Sequence, residues 1–173
     1  MRKQLWIMVG VPGSGKNYWI DTHKDSFNGS VKIVSRDEIR FSLVKEDEEY
    51  FSKEKEVYNN FIKEICEGLC KYDITIANAT HLNAGARAKL FKQVSWYINS
   101  CDVEVNAMVI KRDLNTCLAQ NNQRKGRELV PESAIRNMYS SLTIPAIEEG
   151  FDNIYINKGK INDKSHYEVI KKG

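Results

Sequence analysis

The feature that most constrains the fold is a glycine-rich segment between a short apolar run and an amphipathic stretch. The apolar run covers residues 5–9, and the stretch that follows the glycines includes Trp19 and Ile20. The segment itself reads Gly10-Val11-Pro12-Gly13-Ser14-Gly15-Lys16-Asn17. We refer to residues 10–17 as the glycine loop. A buried strand that runs through such a turn into a helix is typical of an α/β unit.

The residue types in the glycine loop suit the binding of a phosphate group. Glycines let backbone N–H groups converge on an anion without a Cβ in the way, and the following helix N-terminus adds partial positive charge. Lys16 has the position of a lysine that extends to the terminal phosphates. A plain glycine turn is the alternative, but it leaves the lysine and the spacing unexplained. We expect nucleotide phosphates to be bound by Gly10, Pro12, Gly13, Ser14, Gly15, Lys16 and Asn17.

The last position of the loop departs from the usual pattern. That pattern has Ser or Thr after the lysine, and its hydroxyl coordinates Mg²⁺. This chain has Asn17 there. An amide oxygen can ligate Mg²⁺, but the amide is bulkier and its reach differs, while phosphates and waters often supply most ligands of this ion. Asn17 is therefore the candidate metal ligand, with altered metal affinity expected.

Apolar runs alternate with amphipathic segments along the chain, which predicts βαβ units and a parallel sheet. The predicted strands are residues 5–9, 31–34, 74–77, 103–110 and 154–156. Predicted helices include residues 58–69, 90–98, 114–118 and 135–142, the last with Pro131 in its first turn. A length of 173 residues suits one domain, and 42% hydrophobic with 28% charged residues excludes disordered and fibrous classes.

Charge and cysteine usage constrain the partners and the compartment only broadly. The net charge of +3 is compatible with a polyanionic partner without requiring one. No apolar run approaches the length of a membrane span, and the first residues do not form a secretory signal. The 4 cysteines include no Cys-x-x-Cys pair, so we expect reduced thiols in a cytoplasmic protein with no membrane partner. Cys66 and Cys70 can face one metal from a helix, but a small apolar pair is favoured.

Several further segments fit one pattern together with the glycine loop. They are Ser35-Arg36-Asp37-Glu38-Ile39-Arg40, residues 46–56, Ala79-Thr80-His81-Leu82-Asn83 with Arg87, and residues 121–139. Over nearly its whole length the chain resembles the P-loop kinase domain of bacteriophage polynucleotide 5′-hydroxyl kinases and the wider group of small P-loop kinases. The resemblance implies a single three-layer α/β P-loop domain over residues 1–173. It also implies a sheet of about five strands in the order 2-3-1-4-5, and a mobile helical lid near residues 113–142.

The resemblance also implies roles for two residues after the second strand. Asp37 matches an aspartate that activates the acceptor hydroxyl, and Arg40 matches an arginine that contacts the acceptor side of the site. Residues 35–38 also fit a capping box in which Asp37 only favours the helix N-terminus. Similarly, Arg40 has the alternative of a surface arginine. With the glycine loop present, the catalytic role of Asp37 is favoured, whereas Arg87 is expected to pack structurally.

The segment Asn121-Asn122-Gln123-Arg124-Lys125-Gly126-Arg127 matches a family lid, which closes over the nucleotide and supplies arginine to the transferring phosphoryl group. We call residues 123–127 the basic loop. Arg124 is the first candidate for this arginine and Arg127 is the second, and in another register Lys125 takes the place of Arg124. The alternative is that the segment is a solvated basic turn with no such role. At the end of the third strand, where related kinases usually carry aspartate, this chain has Asn78.

Together these features predict a kinase that uses ATP or another NTP, with Mg²⁺, to phosphorylate a hydroxyl. The favoured acceptor is the 5′-hydroxyl of a polynucleotide. Nucleotides, nucleosides and other small molecules are the alternative acceptors. A hypothesis of another class is a nucleotide-binding protein of kinase fold with negligible turnover, and Asn17 and Asn78 support it.

Overall fold

The computed structural model describes residues 1–159 and 166–173. Within them the chain forms a six-stranded sheet in the order β2-β3-β1-β4-β5-β6. The strands are β1 Lys3–Val9, β2 Val31–Ser35, β3 Ile74–Asn78, β4 Val103–Ile110, β5 Asn153–Asn157 and β6 Tyr167–Lys171. The first five run parallel, and β6 is antiparallel to β5. The α/β fold class and the order 2-3-1-4-5 are thus confirmed, with a sixth strand added at the edge.

Helices connect the parallel strands, as the alternating pattern predicts. They are α1 Lys16–His23, α2 Arg36–Leu43, α3 Glu54–Lys71, α4 Ala84–Ser100, α5 Leu114–Asn122 and α6 Glu132–Ser141. Single 3₁₀ turns lie at Lys24–Ser26, Gly126–Glu128 and Ile147–Glu149. Pro131 is the N-cap of α6 and precedes its first turn, one residue before the predicted place. Its φ of −56°, which the proline ring favours, suits this extended position equally well.

The two faces of the sheet bury alternate residues of β1. Leu5, Ile7 and Val9 belong to a core cluster that includes side chains of α3 and α4. Trp6 and Met8 point the other way, into a second cluster with side chains of α1. A strand buried on both faces reads as a continuous apolar run, and the helices on its two sides make the three layers. β1 therefore lies in the middle of the molecule, and the glycine loop begins where β1 ends.

Arg87 of α4 is a fully buried cation with a complete set of partners. Its Nε and Nη2 donate to the two carboxylate oxygens of Glu149 at 2.6 and 3.0 Å. Its Nη1 donates to the carbonyl oxygens of His81 and Thr143, each at 3.0 Å. These bonds join α4 to the connections that follow β3 and α6. The structural role expected for Arg87 is confirmed.

Removing this guanidinium deprives the partly buried carboxylate of Glu149 and two carbonyl oxygens of the donors of Arg87. We expect Arg87→Ala to lower the free energy of unfolding by about 3–5 kcal/mol, the usual cost of breaking a buried ion pair from one side. Urea denaturation measures the change. The matched control is Arg136→Ala, which removes an exposed pair with Glu132, and it is expected to cost no more than about 0.5 kcal/mol. Equal losses in the two variants would contradict the assignment.

Candidate functional site

The glycine loop has a backbone that only glycine adopts without strain at two positions. Gly13 has φ +80°, and Gly15, the N-cap of α1, has φ +103°. A Cβ on Gly13 would lie 2.3 Å from the carbonyl oxygen of Cys117 in α5. The loop therefore packs directly against α5, and Gly13 is required by this contact as well as by its positive φ.

Lys16 lies folded across the start of the loop. Its Nζ donates to the carbonyl oxygens of Gly10 at 2.8 Å and Val11 at 3.0 Å. Burial lowers the pKa of Lys16 to about 8, the nearby carboxylate of Asp37 opposes that shift, and the positive charge of Arg124 adds to it. Asp37 and Arg124, which come from two other predicted segments, thus lie within electrostatic range of Lys16.

Ser14 contributes a hydroxyl with no partner to the same loop. Its Oγ is buried and makes no hydrogen bond with any described residue. A Cβ at Gly10 would lie 2.7 Å from this oxygen, so the hydroxyl sits tightly under the loop. Buried polar atoms are almost always bonded, and an unpaired one in a native fold calls for a ligand or a water. The loop thus retains an unused donor beside the predicted phosphate position.

His81 is hydrogen-bonded to the end of β1, which leads into the glycine loop. It lies at the connection after β3, has φ +41°, and its Nδ1–H donates to the carbonyl oxygen of Met8 at 2.7 Å. Burial lowers its pKa to about 4, so the ring is neutral at neutral pH. The backbone N–H of Gly10 donates to the carbonyl oxygen of the preceding Thr80 at 3.0 Å. The end of β1 is therefore fixed to the chain that leaves β3.

The two asparagines that depart from the family pattern are bonded to each other. Asn78 is the last residue of β3, Asn17 lies in the first turn of α1, and the Nδ2 of Asn78 donates to the Oδ1 of Asn17 at 2.8 Å. Neither side chain carries a charge. Within residues 1–159 and 166–173, no group of three His, Cys, Asp or Glu side chains is arranged to hold a metal ion. The pair does not fit the usual Mg²⁺ site, which has a hydroxyl and a carboxylate at these positions.

Asp37 is exposed at the start of α2 and does not serve as the cap of that helix. The N-cap is Ser35, whose Oγ accepts a hydrogen bond from the backbone N–H of Glu38 at 3.3 Å. The carboxylate of Asp37 instead accepts from Nη1 of Arg40 at 2.7 Å and from the hydroxyl of Tyr50 at 3.4 Å. The cap predicted for this segment is present, but it leaves the carboxylate of Asp37 available at the site.

Arg40 is held in a fixed position between two carboxylates. It is only 5% exposed, so the interpretation as a surface arginine is wrong. Its Nη2 donates to Glu54 Oε2 at 2.9 Å, and its guanidinium lies 4.7 Å from the ring centroid of Tyr50. Glu54 also accepts from Arg36. In this arrangement Arg40 orients the carboxylate of Asp37, and Glu54, which sequence reasoning did not single out, fixes Arg40.

The two arginines of the basic loop, Arg124 and Arg127, lie in different surroundings. Arg127 donates to the carbonyl oxygen of Val44 and stacks on Phe41 at 4.8 Å, so its guanidinium is bound to the end of α2. Arg124, in contrast, makes no side-chain hydrogen bond or ion pair with another described residue. Of the two predicted arginines, Arg124 is the one that influences Lys16.

Asn121 is the first residue of the segment matched to the lid, and the sequence analysis gave it no role of its own. Its buried amide donates to the carbonyl oxygen of Val130 at 2.7 Å and accepts from the N–H of the same residue at 3.1 Å. The two bonds close the chain around the basic loop. The available signal was the spacing of Cys117, Leu118 and Asn121, which puts a polar residue on the buried face of α5.

Comparison with known proteins shows the family. A family model for an AAA domain matches residues 5–145. The chain belongs to this AAA-domain family. No curated protein shows significant sequence similarity to the chain. Over the described ranges 1–159 and 166–173, no helix is both long and apolar enough to cross a membrane.

Solved structures show the same fold at low sequence identity. Chaetomium thermophilum Kti12, in a complex with ADP-AlF3, has a TM-score of 0.66 and 13% identity, with 94% of this chain and 92% of that chain covered. A fungal RNA kinase has a TM-score of 0.59 and 12% identity, with 94% and 76% covered. A gluconokinase from Sinorhizobium meliloti 1021 has a TM-score of 0.57 and 15% identity, with 91% and 83% covered. The AAA-domain family member described here therefore shares a kinase-like P-loop fold.

The lowered pKa of Lys16 predicts a pH-dependent affinity for ADP. Below pH 8 the lysine is a cation and binds phosphate. As the pH rises above 8 it loses its proton, so binding takes up a proton and weakens, by about tenfold at pH 9 relative to pH 7. Titration calorimetry in buffers of different ionisation enthalpy measures both effects.

Two variants test whether Lys16 is the titrating group. Lys16→Gln is expected to bind ADP weakly and without this proton uptake. Lys24→Gln removes a lysine that lies beyond α1 and pairs with Asp21, and it should behave like the parent protein. Unchanged proton uptake in Lys16→Gln would assign the titration to another group.

Proposed function

We propose that the chain is a kinase that transfers the γ-phosphate of ATP, or of another NTP, to a hydroxyl group, and that its acceptor is the 5′-hydroxyl of a polynucleotide. The observation that supports this proposal is that the charges of Asp37 and Arg124 both act on Lys16 in the glycine loop. A phosphate-binding lysine, a carboxylate base and a loop arginine are the groups that phosphoryl transfer uses.

Each of these groups has a distinct task in the reaction. The loop amides and Lys16 hold the β- and γ-phosphates. Asp37 accepts the proton of the acceptor hydroxyl while the oxygen of that hydroxyl attacks the γ-phosphorus. The bond from this phosphorus to the β,γ-bridging oxygen breaks, and ADP leaves. Arg124 compensates the charge on the transferred group. No step of this proposal depends on a protein-held Mg²⁺ ion, because Asn17 and Asn78 do not form the usual site for one.

Two observations support a polynucleotide as the acceptor. The segment with Asp37 and Arg40 has the spacing found in the polynucleotide kinases that the chain resembles, and the fold is shared with an RNA kinase over 94% of the chain. The fold shared with a gluconokinase keeps a small-molecule hydroxyl as the alternative acceptor. We favour the polynucleotide because Arg124 and Lys125 add positive charge next to the site.

A second candidate function is nucleotide-dependent binding with negligible turnover. The observation that favours it is the neutral Asn17–Asn78 pair, which stands where a metal-binding hydroxyl and a carboxylate usually stand. Such a protein would bind ATP without transferring its phosphate.

Transfer of labelled γ-phosphate from ATP to a panel of acceptors separates these functions. The panel contains 5′-hydroxyl DNA, 5′-hydroxyl RNA, nucleosides, nucleoside monophosphates and a sugar acid, each with Mg²⁺ or Mn²⁺. We expect label on the 5′-hydroxyl polynucleotides. Label on a small molecule alone would make that molecule the acceptor in place of the polynucleotide. ATP binding without transfer of label to any acceptor would establish the binding function instead.

The role of Asp37 is tested by Asp37→Asn. Since a general base contributes about 10²- to 10⁴-fold, we expect transfer to fall at least about 100-fold while ATP affinity changes little. The matched control is Glu38→Gln, which removes an exposed carboxylate from the same turn of α2 and is expected to retain transfer. Full specific activity in folded Asp37→Asn would show that the carboxylate only stabilises the helix.

A further inference from the structure

The hydrogen bond between Asn17 and Asn78 has consequences for the role of the metal. In P-loop proteins a hydroxyl at the first of these positions and a carboxylate near the second hold Mg²⁺ against the nucleotide. Here both positions carry amides, and the amides bond each other at 2.8 Å across 61 residues of sequence. The strand and the loop are therefore still tied together, but by neutral groups.

The bond also determines which atoms of Asn17 remain for a ligand. Its Oδ1 accepts from Asn78, which uses one of the two lone pairs of that oxygen, and no hydrogen bond to a described residue uses either N–H of its amide. The side chain is exposed in the first turn of α1, next to Lys16. Amide N–H groups donate to anionic oxygens and do not coordinate a cation. At this place position 17 is equipped to bind a phosphate oxygen.

The surrounding loop already supplies the charge that phosphates require. The positive charge of Arg124 lies close enough to influence Lys16, and Arg124 has no anionic partner among the described residues. The unpaired hydroxyl of Ser14 and the N-terminus of α1 add further donors. Phosphate charge can thus be compensated by the chain itself.

We propose that the Asn17–Asn78 pair makes nucleotide binding by this chain independent of Mg²⁺, with the amide of Asn17 donating to a phosphate oxygen in place of the ion. The inference rests on the nucleotide site of the proposed function but not on phosphate transfer. It assigns Asn17 and Asn78 a shared role as the residues that set the metal requirement of binding.

The test is the affinity for ADP, measured by calorimetry with excess Mg²⁺ and again with EDTA. For the unmodified protein we expect the two dissociation constants to agree within about threefold. The double variant Asn17→Thr with Asn78→Asp restores a hydroxyl and a carboxylate. It is expected to bind ADP at least about tenfold more tightly with Mg²⁺ than with EDTA, because the carboxylate repels the phosphates until the cation is present.

Two further variants keep the test decisive. Asn99→Asp adds the same charge at an exposed position near the end of α4 and is expected to behave like the unmodified protein. If the double variant does not fold, Asn17→Ser alone supplies the hydroxyl, and it should introduce a measurable Mg²⁺ dependence.

The possible outcomes separate this inference from the proposed kinase activity. Tenfold or greater tightening by Mg²⁺ in the unmodified protein overturns the inference, as does a folded variant that restores the hydroxyl but gains no Mg²⁺ dependence. Failure of the unmodified protein to bind ADP overturns the nucleotide site together with the inference. Metal-independent binding in a protein that transfers no phosphate supports the inference and overturns the kinase.

Discussion

The contact between Gly13 and the carbonyl of Cys117 is the constraint on which the site depends. Because no side chain fits between them, the glycine loop rests directly on α5. The last turn of the same helix contains Asn121, whose amide closes the chain around the basic loop. The glycine loop and the basic loop therefore both contact α5, and a displacement of α5 would move both.

A second set of contacts positions the carboxylate of Asp37 through charge. Two carboxylates, from Asp37 and Glu54, surround the buried guanidinium of Arg40, and an aromatic ring covers it. A buried arginine needs such partners, because its desolvation would otherwise be costly. The consequence is that the carboxylate of Asp37 is held by α2 and α3 together. It lies within electrostatic range of Lys16 at the carboxyl ends of β2 and β1, which flank β3, and parallel sheets bind their ligands at this edge.

The sequence predicted the features that depend on local chemistry, and missed those that depend on long-range contacts. The glycine spacing and the apolar run at residues 5–9 sufficed for β1, its loop and α1. β6 was missed because four of its five residues are exposed and it carries no buried pattern. Asn17 and Asn78 were each recognised as departures, yet their bond follows only from the pairing of β1 with β3. Similarly, the basic loop contains chemically similar cations, and only packing against Phe41 distinguishes Arg127 from Arg124.

In the proposed function the glycine loop binds a nucleotide, and Lys16 binds its phosphates. A crystal structure with ADP bound tests it most directly. We expect the phosphates to contact the loop amides. Nζ of Lys16 should then bind a phosphate oxygen instead of the carbonyl oxygens of Gly10 and Val11. ADP bound elsewhere, or a lysine that keeps both carbonyl bonds beside the bound phosphates, would contradict it.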